Sequence, residues 1–225
     1  MLIYIHIPKS AGSTMLIYLK QYYRIHQVKA WWREDWKGIS PRAQCIFGHM
    51  PYASYISYFG DNSITGNSDQ TITFLRDPVE RVISLYFYVC GRQNHPEYET
   101  FKKYTLAELI ESGQYASFDN DMVRFIAGMD RVHYQKPVGK IHKHWLTVAK
   151  ENLHKFDAIG FVETFDSDLS RMARQFGWDD IAYDKILVGK RPKKEDLHPD
   201  TVRLIEENTL LDTELYNYAR KHFMT

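Results

Sequence analysis

The 225-residue sequence predicts an α/β fold: a sheet of about four to five parallel strands with helices on both faces. Three observations carry that expectation. Short apolar, β-branched runs recur at Leu2–Ile7, Cys45–Gly48, Thr71–Leu75 and Ala158–Val162, with helical stretches between them. Such runs suit strands covered on both faces, as in a parallel sheet. Two of them also break directly into helix-start signals, at Pro8 to Thr14 and at Asp77-Pro78. Ligands of such sheets gather at the carboxyl ends of the strands, which is where Lys9, His49 and Arg76 stand.

In chain order, Leu2–Ile7 is the first strand, and Pro8 ends its ladder pairing. Lys9-Ser10-Ala11-Gly12-Ser13-Thr14 then turns the chain into a helix expected to begin near Ser13 and to run to Gln27. Strand, small-residue turn and helix N-terminus together make an anion site, because free backbone N–H groups and the positive end of the helix dipole meet there. Lys9 adds a full charge, and Ser13 and Thr14 add hydroxyls. The loop is P-loop-like, but the lysine precedes Gly12 instead of following a glycine, so it is not a Walker A sequence.

Trp31–Trp36 is expected as an aromatic loop, and Gly60–Gln70 as a turn-rich one. Arg76 follows the third strand, with Asp77 as helix cap, Pro78 as first helical residue and Glu80 as the capping-box acid. That helix should run to about Cys90, with Gly91–Thr100 as loop. Further helices are expected near Leu106–Ser112, Asn120–Ala127, His144–His154 and Ser167–Phe176, and one or two over Pro199–Phe223. Arg76 and Ser84 lie eight residues apart, about two helical turns, and can clamp a second phosphate beyond the reach of the first loop.

A chain of 225 residues with 44% hydrophobic and 25% charged residues suits one domain, residues 1–225. A net charge of +1 gives no whole-molecule field for nucleic acid. Cys45 and Cys90 form no disulfide framework, and no His, Cys or acid spacing suggests a metal. No apolar run reaches the roughly eighteen residues of a membrane span. The N-terminal apolar stretch has no basic leader and runs straight into the loop, so a cytoplasmic protein is expected.

The motifs resemble those of a known family. Ile7-Pro8-Lys9-Ser10-Ala11-Gly12-Ser13-Thr14 resembles the 5′-phosphosulfate loop of sulfotransferases, which use 3′-phosphoadenosine 5′-phosphosulfate (PAPS). Leu75-Arg76-Asp77-Pro78, continuing to Ser84 and Tyr86, resembles their 3′-phosphate motif. Asn120–Gly128, Ala149–Leu153 with Phe156–Asp166, and Gly48-His49-Met50-Pro51-Tyr52 resemble the carbohydrate branch, in particular a compact bacterial-type relative of the heparan sulfate 2-O- and 6-O-sulfotransferases.

The resemblance implies sulfuryl transfer from PAPS to an acceptor hydroxyl, with a carbohydrate as one candidate acceptor. It gives Lys9 and the loop Ser10–Thr14 to the 5′ end of the nucleotide, and Arg76 and Ser84 to the 3′-phosphate. Lys190 and Arg191 belong to a late basic loop that closes over the nucleotide in many members, and His49 is the base. A non-catalytic module binding nucleotide or glycan, and a nucleotide-dependent phosphotransferase, remain the alternatives. Residues 28–44, 53–70 and 91–104 are read as acceptor loops of no recognisable type.

Overall fold

Leu2–Ile5 forms the central strand, β1, and Leu2, Ile3, Tyr4 and Ile5 are all fully buried. A computed structural model describes residues 1–28, 39–40, 42–59, 69–129, 141–178 and 191–224. The Trp31–Trp36 stretch, all of Gly60–Gln70 before residue 69, and Lys190 lie outside the described residues. Parallel to β1 run β2 (Ile25–Val28), β3 (Cys45–Gly48), β4 (Gln70–Leu75) and β5 (Ala158–Phe161), in the order β2-β3-β1-β4-β5. Ile5 pairs with Gly48 on one side and with Thr73 on the other, so β1, β3 and β4 end at one edge.

The strands are covered on both faces. Leu2 and Tyr4 pack with α1 (Gly12–Leu19) and with a later helix, Phe165–Phe176. Ile3, Ile5 and Ile7 face the other side, against helices Asp121–Ala127, His144–Leu153 and Leu210–Phe223. In chain order the remaining helices are α2 (Tyr52–Phe59), α3 (Pro78–Cys90), α4 (Tyr98–Lys103) and α5 (Leu106–Glu111). Then come α6 (Asp121–Ala127), α7 (His144–Leu153), α8 (Phe165–Phe176), α9 (Pro199–Asn208) and α10 (Leu210–Phe223). No helix among the described residues is long and apolar enough to cross a membrane.

Three expectations are corrected, and one open alternative, at the C-terminus, is decided. The first helix stops at Leu19, and the chain turns through Tyr22 and Tyr23 into β2, because Ile25 and Val28 gain a ladder against β3. Residues 52–59 and 98–103 are helices α2 and α4, not loops. The C-terminal stretch is two helices, broken at Thr209, whose hydroxyl donates to the Ile205 carbonyl at 2.8 Å. Asp77 does cap α3 by accepting from the Glu80 N–H at 3.0 Å, yet Glu80 does not complete the capping box. The Asp77 N–H donates to Glu163 Oε1 instead, at 2.9 Å, which leaves the Glu80 carboxylate for other partners.

Under the site lies a buried polar node joining α3, α6 and α10. Arg81 Nη1 donates to Asp121 at 3.0 Å, and Arg124 pairs with Asp119, all four side chains being fully buried. Asp212 of α10 accepts from the Met122 and Val123 amides at 3.2 and 2.8 Å. Asn120 answers by accepting from the Leu211 and Asp212 amides at 2.8 and 3.0 Å. Asn152 of α7 donates to the Ile126 carbonyl at 2.9 Å, so the Asn120–Gly128 and Ala149–Leu153 segments meet as architecture.

Candidate active site

The loop after β1 is held in an unusual backbone shape. Lys9 and Ala11 have φ of 70° and 59°, the left-handed region, at a cost of about 1–2 kcal/mol each for residues with a Cβ. The strain persists because neighbours fix the loop from behind. The Tyr4 hydroxyl donates to the Ser10 carbonyl at 3.1 Å, Arg76 Nη1 donates to the Lys9 carbonyl at 3.0 Å, and the Ser10 N–H returns to Ile7 at 3.2 Å. Carbonyls pinned back in this way leave the first amides of α1 to converge at its N-terminus. The helix begins at Gly12 with Ala11 as cap, one residue before the expected Ser13. Ser13 is exposed, Thr14 is buried, and Ser10 is fully buried with its Oγ lacking a hydrogen-bond partner.

Gly12 is needed for a close approach. A Cβ there would lie 1.8 Å from His6 Nε2. His6 follows β1 on the same face as Tyr4, and its ring lies between the loop and His49. The two imidazoles are stacked, with centroids 4.3 Å apart and planes inclined by 27°. His49 Nδ1 donates to the His6 carbonyl at 2.9 Å, which makes Nε2 the basic nitrogen of the neutral ring. Burial lowers the pKa of both histidines. The Lys9 charge lowers them further, and the bond to His6 offsets only part of the effect at His49.

Cations converge on the loop from three other places. Lys9 Nζ sits 3.6 Å from the centre of the Tyr88 ring, and the Arg92 guanidinium lies 4.6 Å from the same ring. Burial and the charges of Arg76, Arg92 and Arg191 bring Lys9 down to about 8. Burial and Arg191 bring Arg76 down to about 10, and its buried Nε has no hydrogen-bond partner. Glu80 is the carboxylate among them, paired with Arg191 and 3.8 Å from Arg76, and it also accepts from the Lys194 N–H at 2.9 Å. Burial pushes Glu80 up, but these partners outweigh it and hold it below the usual carboxylate range.

The structure thus brings Lys9, Ser10, Arg76 and Arg191 together, with His49 beside the loop. Ser84 is buried on α3, one turn from Glu80 and one from Tyr88, and so on the face that both turn to the cations. Sequence reasoning missed Arg92 and Tyr88, and it read Glu80 chiefly as a capping acid and His6 as a packing residue of the first strand. The only available signal was the spacing of four that puts Glu80, Ser84, Tyr88 and Arg92 in one line. A crowd of cations with buried, unspent donors fits an anionic ligand.

Among curated proteins, none matches the chain in sequence. The chain is similar to the crystal structure of mouse sulfotransferase SULT7A1 complexed with PAP, at 14% identity and a TM-score of 0.47. That alignment covers 80% of this chain and 59% of the mouse chain, so this chain spans about three fifths of that protein's length. The model of the sulfotransferase family matches residues 1–219, and the chain belongs to that family.

Proposed function

We infer that the chain moves a sulfuryl group from PAPS to an acceptor hydroxyl, with a carbohydrate of the kind used by the heparan sulfate 2-O- and 6-O-enzymes as the favoured acceptor. The observation that carries this reading is the gathering of Lys9, Arg76, Arg92 and Arg191 around two buried donors without partners, Ser10 Oγ and Arg76 Nε. Glu80 and Glu163 offset part of the mutual repulsion of these cations, and what remains favours an anionic ligand; their spread along α3 would suit one with two phosphate ends. When bound, PAPS supplies a sulfuryl group on a good leaving group.

Lys9, the amides of Gly12 to Thr14, and the Ser10, Ser13 and Thr14 hydroxyls would hold the 5′ end. Arg76 and Ser84 would hold the 3′-phosphate, with Arg191, and Lys190 beside it, closing over both. Lys9 would leave the Tyr88 ring for the oxygens on which negative charge grows, a contact worth most in the transition state. His49, kept neutral by burial and presenting Nε2 as its basic nitrogen, would take the acceptor proton. The carbohydrate preference rests on the His49–Tyr52 and Asn120–Gly128 motifs alone.

The test is transfer of labelled sulfate from PAPS to a panel of glycans, lipids and phenols, read by product mass, beside nucleotide protection against unfolding. Adenosine 3′,5′-bisphosphate (PAP) should protect and ATP should protect much less, and a glycan should carry the label. Equal protection by ATP, or no labelled product from any acceptor, would overturn the assignment.

A further inference from the structure

His6 precedes the phosphate loop by three residues and has no place in the chemistry described above. Its surroundings are nonetheless more constrained than those of a residue that merely fills space. One edge of the ring fits against the bare Cα of Gly12, where a Cβ would come within 1.8 Å of Nε2 and 2.1 Å of Cε1. One face stacks on His49 at 4.3 Å. Tyr4 and Phe47 stand on two further sides, with ring centroids at 5.6 and 5.0 Å, and His6 keeps only a partial exposure. The His6 backbone is fixed as well, since its N–H donates to Gly48 at 2.9 Å and its carbonyl accepts from His49.

We propose that His6 is a positioning residue: its ring is the spacer that sets the plane and distance of the His49 imidazole relative to the phosphate loop. The inference rests on the reading of His49 as base. The carbonyl of His6 fixes which nitrogen of His49 carries the proton, and the side chain fixes where the other nitrogen stands. A flat ring in a slot bounded by backbone on one edge and rings on three sides has one orientation, so His49 inherits one orientation through the stack. The same stack keeps water from the His49 face and leaves Lys9 as the nearby charge bearing on both rings.

The experiment compares wild type, His6→Phe, which keeps a flat face, and His6→Leu, which fills similar volume without one. Imidazole ¹H–¹⁵N spectra report the His49 tautomer and its titration, calorimetry with PAP reports the nucleotide site, and the labelled-sulfate panel reports turnover. His6→Phe should keep a single Nδ1–H tautomer at His49 and turnover within about threefold of wild type. His6→Leu should mix the tautomers, raise the His49 pKa towards the ordinary histidine value as water reaches it, and lower turnover at least about tenfold. Affinity for PAP should stay within about threefold in both, because the nucleotide contacts are unchanged. Should the leucine chain not fold, His6→Met takes its place.

Wild-type spectra and turnover in the variant without a flat face would overturn the proposal. So would equal loss in His6→Phe, since an imidazole and not a flat spacer would then be required. His49→Ala runs alongside: if it turns over normally, the base assignment falls and takes His6 with it. If only His49→Ala is impaired, His6 alone is refuted.

Discussion

Gly12→Ala is the sharpest perturbation of this site, because the structure sets its size. The added methyl would lie 1.8, 2.1 and 2.4 Å from three atoms of the His6 ring, against an ordinary contact of about 3.4–4 Å. The partners must therefore separate by about 1.5 Å. The ring has little room to retreat, with Tyr4, Phe47 and His49 around it, so either the loop lifts or the stack opens. Overpacking of this kind costs about 1–3 kcal/mol, or roughly 2–12 °C in Tm for a chain of this size. A displacement of about 1 Å between reacting groups costs about 10²-fold in rate, so turnover should suffer far more than folding. The assay is a double-mutant cycle on Tm and turnover with Gly12→Ala, His6→Ala and both together. Removing the ring makes room for the methyl, so the double variant should be more stable than the sum of the single losses by about 1 kcal/mol or more. Strict additivity, or a wild-type Gly12→Ala, would show that the contact constrains nothing.

Three further outcomes are expected. Arg76→Ala should weaken PAP by about 2–5 kcal/mol in calorimetry and adenosine 5′-phosphate much less, with equal weakening excluding a role at the 3′ end. Lys9 is charged below about 8, so affinity for PAP should fall as pH rises through that value, and Lys9→Arg should flatten the curve. Asp212 is raised from 3.8 to about 7 by burial, so between those values the folded chain holds a proton that the unfolded chain has lost. Its contribution is therefore whole below 3.8 and fades as pH rises to about 7. Asp212→Asn should remove that part of the pH dependence of the urea midpoint, and identical pH curves would contradict it.

The sheet was legible because its central strands are apolar on consecutive residues, which few other structures need. β2 was not, since Ile25-His26-Gln27-Val28 carries two polar residues and owes its form to its neighbour β3. Helix α2, Tyr52–Phe59, has no charge and no capping acid, so nothing local marked it. Lys9, Arg76 and Arg191 could be named from local signatures. Arg92 and Tyr88 could not, because their part depends on α3 lying alongside the loop, a relation between elements that spacing alone does not state. Glu80 was assigned to a cap by a local rule, and the distant Glu163 displaced it.

The buried node under α3 bears on how the chain is made. Arg81 shares a helix with Glu80, Ser84 and Tyr88, and it is sealed beneath the site by Asp121 and by Asp212, whose charge also reaches it. Every sheet-edge residue of the site except Arg191 has been synthesised by Arg92, yet about 120 further residues precede Asp212. At about 5–20 residues per second, that is a wait of about 6–24 s on the ribosome. During it, α3 lacks its final seat. The loop after β1 thus emerges well before the helix that finally seats α3 beside it. A nascent chain should bind nucleotide only once α10 has left the exit tunnel.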